Sequence, residues 1–168
     1  HRAGIVHRDL KPANVMLTRD GPKLLDFGIA KQTVVAAVAK EQETETVTGP
    51  STVTGRIVGT IPYMAPEQLS GAAADARSDL YALGVLLFEL LTGRRPHESA
   101  SLGELLRQVA AEPAPDLRSF RPELPQTLAD VLARLLAKRP ADRHPDGEAL
   151  AAAIERARLH IEGVGGVA

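Results

Sequence analysis

The sequence predicts a mainly α-helical fold, in which a bundle of helices surrounds one buried central helix, with a single small β-hairpin. The run from Ser78 to Thr92 repeats leucine at helical spacing and is apolar on nearly every face, which is typical of a buried helix. Two further helical segments are predicted at Ser101 to Ala111 and at Leu124 to Ala137. The hairpin is predicted near the start of the chain, where short apolar runs flank the turn signal Asp20-Gly21.

Composition limits the class of protein. The chain has 168 residues, of which 44% are apolar, and a formal net charge of -1. This is enough chain for one compact domain, and the charge does not favour nucleic acid or an anionic membrane. The sequence has no cysteine, which excludes disulfides, thiolate zinc sites and thiol catalysis. The longest apolar run, Leu80 to Leu91, is too short to cross a bilayer. We therefore expect a cytoplasmic segment cut from a longer parent chain, in which other segments supply any membrane tether.

The N-terminal part is predicted to pass from a helix into a loop and then into the hairpin. His1 to Val6 has the pattern of a helix end, and His7 to Asn14 is predicted to be a loop. Val15 to Leu17 forms the first predicted strand. Lys23 to Leu25 returns as the second strand and leads directly into Asp26.

A long segment without clear periodicity follows the hairpin. Gly28 to Gly59 is rich in Thr, Val and Ala, and we interpret it as a mobile loop whose length suggests a function. A short helix is predicted after it, ending at about Leu69. Hydroxyl side chains are concentrated in the second half of the loop, at Thr44, Thr46, Thr48, Ser51, Thr52 and Thr54.

Capping signals bound the C-terminal helices. Gly93 is predicted to end the central helix, and Ser101 to cap the next one. Glu112 to Pro125 carries four prolines and is predicted to be an extended connector. Asp146 is a candidate cap for a final helix that ends at about His160.

Two polar stretches at the hairpin carry the residue types that phosphoryl transfer requires. Asp9, Lys11 and Asn14 lie in one loop, and Asp26 follows the second strand. Phosphoryl transfer needs a carboxylate to orient or deprotonate a hydroxyl, a cation for the migrating charge and oxygen ligands for magnesium. The hairpin would place both stretches beside one metal-phosphate cluster. Alternatively, the aspartates are turn residues and Asn14 is an amide that caps the next strand.

Several motifs in order carry a family resemblance: "HRDLKPAN", "DFG", "GTIPYMAPEQ", "RSDLYALGVLLFELLTGRRP" and "KRPADRHPD". From His1 to about Ile161 the chain resembles the C-terminal lobe of a bacterial Hanks-type (eukaryotic-like) serine/threonine protein kinase. The resemblance implies a protein-kinase-like C-lobe at residues 1–161, a tail at residues 162–168, and an N-lobe that is absent from these residues. The implied reaction transfers the γ-phosphate of ATP to Ser and Thr hydroxyls of proteins.

The resemblance also implies roles for the polar residues. Asp9 matches the catalytic aspartate that orients the substrate hydroxyl or accepts its proton. Lys11 matches the lysine that neutralises charge on the transferring phosphoryl group and therefore also contacts the nucleotide. Asn14 and Asp26 match the two ligands of Mg²⁺, for which Mn²⁺ can substitute. Met16 would lie under the adenine of ATP.

Other positions match regulatory residues of the family. Arg8 matches the arginine that meets a phosphate on the activation segment, which would run from Asp26 to Glu67. Thr52 and Thr54 are the candidate phosphorylation sites, with the alternative that this is a solvated Thr-rich loop. Weaker candidates are Thr44, Thr46 and Thr48. Thr60 matches the threonine that hydrogen-bonds the catalytic aspartate and lysine in serine/threonine-specific enzymes.

A last set of matches is structural. Glu67 and Arg143 match a buried ion pair that joins the activation segment to the last helices. Asp79 matches the aspartate that holds backbone amides of the catalytic loop, and His7 and Phe27 are expected to stack in the interior. The apolar column under the adenine is expected to continue through Met16, Leu86 and Leu90.

The sequence does not indicate a strong preference for basic substrates. Ala13 stands where some kinases that prefer basic substrates carry an acidic residue, and Glu89 alone could supply only a weak acidic contact. His97, His144 and His160 have no metal-ligand spacing and are expected to be surface or structural residues.

The 168 residues contain no Gly-rich loop, no phosphate-gripping strand lysine and no adenine hinge before the catalytic loop. We therefore expect little activity without the N-lobe of the parent chain, which is one expected partner beside protein substrates and a possible autophosphorylation dimer. An alternative is a non-catalytic kinase-like binding or scaffold module that acts through the surface from Ser101 to Leu124. A small-molecule phosphotransferase is a further alternative, but it would lack the segment from Gly59 to Glu67.

Overall fold

The computed structural model describes residue 1, residues 4–26 and residues 59–165, with side chains up to residue 159. The strands are β1 (Val15–Thr18) and β2 (Gly21–Leu24). The helices are α1 (Pro66–Leu69), α2 (Ala76–Thr92), α3 (Leu102–Ala111), α4 (Gln126–Leu135) and α5 (Gly147–Gly165). Short 3₁₀ turns lie at Pro12–Asn14, Ile61–Tyr63, Leu117–Ser119 and Pro140–Asp142. This architecture confirms the predicted fold class.

The chain before the catalytic loop is not helical where the structure describes it. Residue 1 and residues 4–6 lie outside any helix, so the prediction of a helix end at His1 to Val6 is wrong for these residues. Gly4 has a φ of 69° and donates its amide to the His1 carbonyl at 2.9 Å. A glycine in the left-handed region makes a tight turn here instead of ending a helix.

The hairpin sets the position of Asp26. Strands β1 and β2 pair antiparallel, with Thr18 opposite Gly21 at the turn. Beyond the paired strands, the Leu25 amide donates to the Asn14 carbonyl at 2.8 Å. The first residue after this bond is Asp26, which therefore lies beside the end of the catalytic loop.

Helix α2 is the centre of the fold. It begins two residues earlier than predicted, because the Asp75 carboxylate accepts hydrogen bonds from the Arg77 and Ser78 amides at 2.8 and 3.2 Å. Gly93, with a φ of 73°, ends it as predicted. Its buried apolar side chains contribute to one core with residues of helices α3, α4 and α5, and those from α2 are Leu80, Tyr81, Val85 and Phe88.

Several large apolar side chains are uncovered among the described residues. Leu86 is buried, whereas Met16 is 49% exposed and Leu90 is 72% exposed, so these two are not part of the core of the described residues. The expected column under the adenine stays a prediction. Periodicity shows that a face is apolar, but it does not show what covers that face. Exposed apolar side chains near the hairpin are Ile5, Met16, Leu17, Leu24 and Leu25.

Two of the remaining helices begin directly after the residues predicted to cap them. Ser101 accepts a hydrogen bond from the Glu104 amide at 3.5 Å, and Asp146 accepts one from Ala149 at 2.8 Å. Helix α4 is shorter than predicted at both ends, because it starts only after Pro125 and ends at Leu135. Helix α5 continues to Gly165, past its predicted end and into the predicted tail. No helix among the described residues combines the length and apolarity needed to cross a membrane.

Candidate active site

A buried carboxylate from helix α2 holds the backbone of the loop at residues 7–14, the predicted catalytic loop. Asp79 accepts hydrogen bonds from the amides of His7 at 2.6 Å and Arg8 at 2.8 Å. Arg8 has a φ of 66°, a backbone strain that costs about 1–3 kcal/mol in a residue other than glycine. The two bonds to Asp79 offset this strain, which explains why a charged residue lies near the start of so apolar a helix.

His1 also contacts Asp79, which the sequence did not indicate. The Gly147 amide donates to His1 Nδ1 at 3.2 Å, so the proton lies on Nε2, which donates to Asp79 Oδ2 at 3.2 Å. Burial raises the pKa of Asp79, although the amides of His7 and Arg8 act against it. No local signal could have revealed this contact, since the two residues lie far apart in the chain.

The structure brings four of the sequence-predicted site residues together. Asn14 Nδ2 donates to the Asp9 carbonyl at 2.8 Å and to Asp9 Oδ2 at 3.0 Å. Lys11 Nζ lies 3.3 Å from Asp9 Oδ2 and donates to Thr60 Oγ1 at 2.8 Å. All four side chains belong to buried residues. The result is a carboxylate fixed between an amide and an ammonium group, with a threonine hydroxyl on the far side of the ammonium.

Asp26 lies at the exposed edge of this group. Its φ is 51°, so Arg8 and Asp26 are the non-glycine residues with positive φ in the described part of the chain. The preceding residue, Leu25, is held on both sides, because its amide donates to the Asn14 carbonyl and its carbonyl lies 2.9 Å from His7 Nε2. The chain therefore holds the Asp26 backbone in a strained conformation next to Asn14.

The donors around this edge are hard oxygen ligands. The described residues contain no cluster of three or more His, Asp, Glu or Cys side chains that could hold a metal ion. The sequence-predicted magnesium ligands are instead one carboxylate and one amide, from Asp26 and Asn14. Both Asn14 bonds use its Nδ2, so its carbonyl Oδ1 is turned away from Asp9.

The expected ion pair between Glu67 and Arg143 is present. Arg143 is 1% exposed and donates to the two Glu67 carboxylate oxygens at 2.7 and 2.8 Å. Ser78 donates to the same carboxylate at 2.8 Å. Burial would raise the pKa of Glu67, but hydrogen bonds from Arg143, its own amide and Ser78 outweigh burial and leave the pKa lowered. This pair joins helix α1 to the loop before α5.

Glu89 has a partner inside the protein. The Tyr63 hydroxyl donates to the Glu89 carboxylate, and burial together with this bond raises the pKa of Tyr63. Sequence reasoning did not identify this contact. The bond from Tyr63 therefore occupies Glu89, for which the sequence suggests only a weak acidic contact with substrates.

The histidines that the structure describes in the C-terminal part are buried, in line with a structural role. His97 accepts a hydrogen bond from Lys138 Nζ at 3.0 Å, and His144 lies before α5. The side chain of His160 lies outside the described residues. The other predicted site residues that also lie outside them are Phe27, Thr44, Thr46, Thr48, Thr52 and Thr54.

Comparison with known proteins gives a consistent answer. The model of the protein kinase domain family matches residues 1–153. The chain is 46% identical over 153 residues to the DNA damage-responsive serine/threonine-protein kinase RqkA of Deinococcus radiodurans, covering 90% of this chain and 21% of that protein. It is 44% identical over 149 residues to the serine/threonine-protein kinase Pkn1 of Myxococcus xanthus, covering 86% of this chain and 20% of that protein.

The structure of the chain is also similar to that of a solved protein kinase domain. The Mycobacterium tuberculosis PknI kinase domain superposes with a TM-score of 0.59 at 34% identity, covering 92% of this chain and 48% of that chain. The chain thus spans about a fifth of the length of the two curated relatives and about half of the solved kinase domain. It belongs to the protein kinase domain family, as the C-terminal lobe of a bacterial Hanks-type serine/threonine kinase.

Proposed function

We propose that this chain supplies the catalytic loop of a serine/threonine protein kinase that transfers the γ-phosphate of ATP to Ser or Thr hydroxyls of proteins. The observation that carries the proposal is the contact series Asn14–Asp9–Lys11–Thr60, which places a carboxylate and a cation side by side in a buried loop. Kinase chemistry depends mainly on positioning and electrostatic stabilisation, and this series supplies both.

Asp9 is the group that orients the acceptor hydroxyl or takes its proton. Its Oδ2 is held from two sides by Asn14 and Lys11, so the carboxylate has a fixed direction. The Lys11 ammonium has three donors, one of which bonds Thr60, and it forms an ion pair with Asp9 Oδ2 at 3.3 Å. Its positive charge and remaining donors can stabilise negative charge on the transferring phosphoryl group.

The described residues fit a magnesium-nucleotide complex by the chemistry of their donors. Mg²⁺ prefers oxygen ligands, and Asn14 Oδ1 and the exposed Asp26 carboxylate are both oxygen donors at one edge of the site. We infer that these two residues hold Mg²⁺, or Mn²⁺ in its place. When bound, the metal-ATP complex supplies the phosphoryl group and neutralises its charge.

The exposed apolar side chains on the two faces of the hairpin suit contact with the N-lobe of the parent chain. Leu17 is 83% exposed and Met16 is 49% exposed, and Met16 lies two residues after Asn14, where it could contact adenine. A surface of this kind on a soluble protein indicates a covering partner. Residues 1–161, with the tail after them, would then act as one half of a two-lobed active site.

Serine/threonine specificity and regulation follow from two further residues. Thr60 accepts a hydrogen bond from Lys11, which fixes the cation for a hydroxyl substrate. The Arg8 side chain is exposed beside the loop, where it could bind a phosphate on Thr52 or Thr54 after autophosphorylation in a dimer. We propose that the reaction takes place in the cytoplasm, on protein substrates.

The proposal is tested by phosphate transfer from labelled ATP to a protein substrate, using the complete protein. Asp26→Asn should lower the rate by about 10²-fold or more and raise the Mg²⁺ concentration for half-maximal rate, because a metal ligand loses its charge. Asp20→Asn, on the exposed hairpin turn, is the matched control and should leave both quantities unchanged. Equal behaviour of the two variants would contradict the assignment.

The same assay separates the alternatives. A non-catalytic scaffold predicts no transfer by the wild-type protein at any Mg²⁺ concentration. Residues 1–168 alone should transfer phosphate far more slowly than the complete protein, and normal kinase rates from them would refute the need for an N-lobe.

A further inference from the structure

An open cavity with a mixed polar and apolar lining lies in the C-terminal half of the lobe. It has a volume of about 380 Å³ and lies between helices α4 and α5. Small-molecule sites start at about 300 Å³, so a small ligand fits. Its polar wall is formed by Thr127, Asp130, Arg134, His144 and Arg156. None of these residues belongs to the kinase site, so the cavity is independent of the proposed function.

Two buried polar atoms of this wall have no hydrogen-bond partner among the described residues: Thr127 Oγ1 and His144 Nε2. His144 is only 4% exposed. Buried polar groups are nearly always paired in folded proteins, so two unpaired groups in one cavity wall are unusual. Both can donate a hydrogen bond, the hydroxyl by rotation and the imidazole in its Nε2-protonated tautomer.

The cavity is also positively charged. Arg134, Arg156 and His144 all line the cavity. Burial lowers the pKa of His144, and the charges of the two arginines lower it further. Neither Arg134 nor Arg156 takes part in the ion pairs found among the described residues. Those pairs involve other arginines, for example Arg158 with Glu155 at 2.7 Å.

One acidic side chain opposes this charge. Asp130 lies in the wall, and it accepts a hydrogen bond from Gln126 at 2.8 Å. Arg134 Nε donates to the Asp142 carbonyl at 3.4 Å, which leaves its two terminal nitrogens for a ligand. The lining therefore carries two guanidinium groups and one carboxylate, and this excess of positive charge favours an anion.

We propose that this cavity binds a small oxyanion of the phosphate or carboxylate class, held by Arg134 and Arg156 and hydrogen-bonded by Thr127 and His144. Guanidinium groups bind such anions through paired charge-assisted hydrogen bonds. The anion would give the buried hydroxyl and imidazole a partner. The ligand is a free small molecule in this proposal, because the cavity is too small for a folded partner.

The test is an NMR titration of the complete protein, labelled in its histidine rings, with inorganic phosphate at constant ionic strength and then with acetate. The His144 ring resonances should shift and saturate with at least one probe. Arg156→Gln should weaken binding about tenfold or more, and Thr127→Val about threefold, because each removes a hydrogen bond to the anion. Arg158→Gln removes the same charge two residues along α5, outside the cavity, and should leave the affinity within about twofold.

Each outcome of the titration either supports or overturns the proposed anion site. Saturation by phosphate, by acetate or by both, with loss in Arg156→Gln and Thr127→Val but not in Arg158→Gln, supports the site and identifies the class of anion. No saturable shift with either probe overturns the proposal, as would equal weakening by Arg156→Gln and Arg158→Gln. Thermal unfolding without added anion confirms that the variants are folded.

Discussion

Arg143 has the lowest exposure of the charged side chains described, and its only carboxylate partner among those residues is Glu67. Glu67→Gln leaves the guanidinium buried without a counter-charge, and we expect the free energy of unfolding to fall by roughly 3–5 kcal/mol. Denaturant unfolding followed by circular dichroism measures this change. Glu155→Gln breaks the exposed pair with Arg158 and should have a far smaller effect. Comparable losses in both variants would contradict a structural role for the buried pair.

His97 makes the stability of the lobe depend on pH. Burial, with repulsion from Lys138, lowers the pKa of His97 to about 4. Its ordinary pKa is about 6.5, so the unfolded state binds more protons between these values and stability falls as the pH falls through this range. The full loss from this group is roughly 3 kcal/mol.

His97→Gln tests this dependence because it keeps an acceptor for Lys138 but cannot be protonated. Unfolding free energies measured from pH 7 to pH 4 should have a shallower slope in the variant than in the wild type. An unchanged slope would show that His97 is already protonated in the folded state or does not titrate there.

At the level of single residues, the sequence predicts the candidate catalytic side chains. It does not predict the long-range contacts that hold the surrounding residues in place. Asp9, Lys11, Asn14 and Asp26 are recognisable by type and spacing. The contacts of His1 with Asp79, and of Lys138 with His97, join residues far apart in the chain. Such contacts depend on how distant segments of the chain, most of them loops, come together, and local residue type and spacing do not indicate this.

At the level of elements, helix α2 approaches helix α4 closely at Gly84. A Cβ atom on Gly84 would lie 2.9 Å from Leu135 Cβ and 3.1 Å from Leu136 Cδ2. Gly84→Ala gains about 1 kcal/mol of helix propensity but overpacks the contact by about 1–3 kcal/mol, so we expect a net loss of stability. Gly103→Ala, where only Ser101 Oγ lies 4.0 Å away, should stabilise the protein instead. Thermal unfolding of both variants checks the opposite signs, and stabilisation by both would contradict the close approach.

The bonds from Asp79 in helix α2 to the predicted catalytic loop should affect the rate of phosphate transfer. Asp79→Asn keeps the size of the side chain but loses one of the two acceptors used by His7 and Arg8, so we expect slower phosphate transfer by about tenfold or more. Asp75→Asn is the matched control, since asparagine caps a helix as well as aspartate. Equal activity of the two variants would mean that Asp79 does not position the loop.

Local signals predicted the elements where a cap decides the boundary. Gly93, Ser101 and Asp146 each bound a helix as expected. The prediction was wrong for the residues before the catalytic loop, where a glycine turn replaces a helix. Helix α5 also passes its expected end, because glycine weakens a helix without having to stop it.

At the level of the whole molecule, the sequence showed that the surface around the hairpin is apolar but not whether it is buried. Met16 and Leu90 are predicted to lie in an apolar column under the adenine, and both are exposed among the described residues. Burial depends on what lies against a surface, and the chain spans about half of the solved kinase domain to which it is similar.

The central proposal is that Asp9 orients a Ser or Thr hydroxyl for phosphate transfer, and the most direct test is the transfer rate of the complete protein carrying Asp9→Asn. We predict a fall of about 10²–10⁴-fold, the usual contribution of a positioned acid or base, with unchanged unfolding and with full activity in Asp20→Asn. Transfer at the wild-type rate by a folded Asp9→Asn protein would contradict the account.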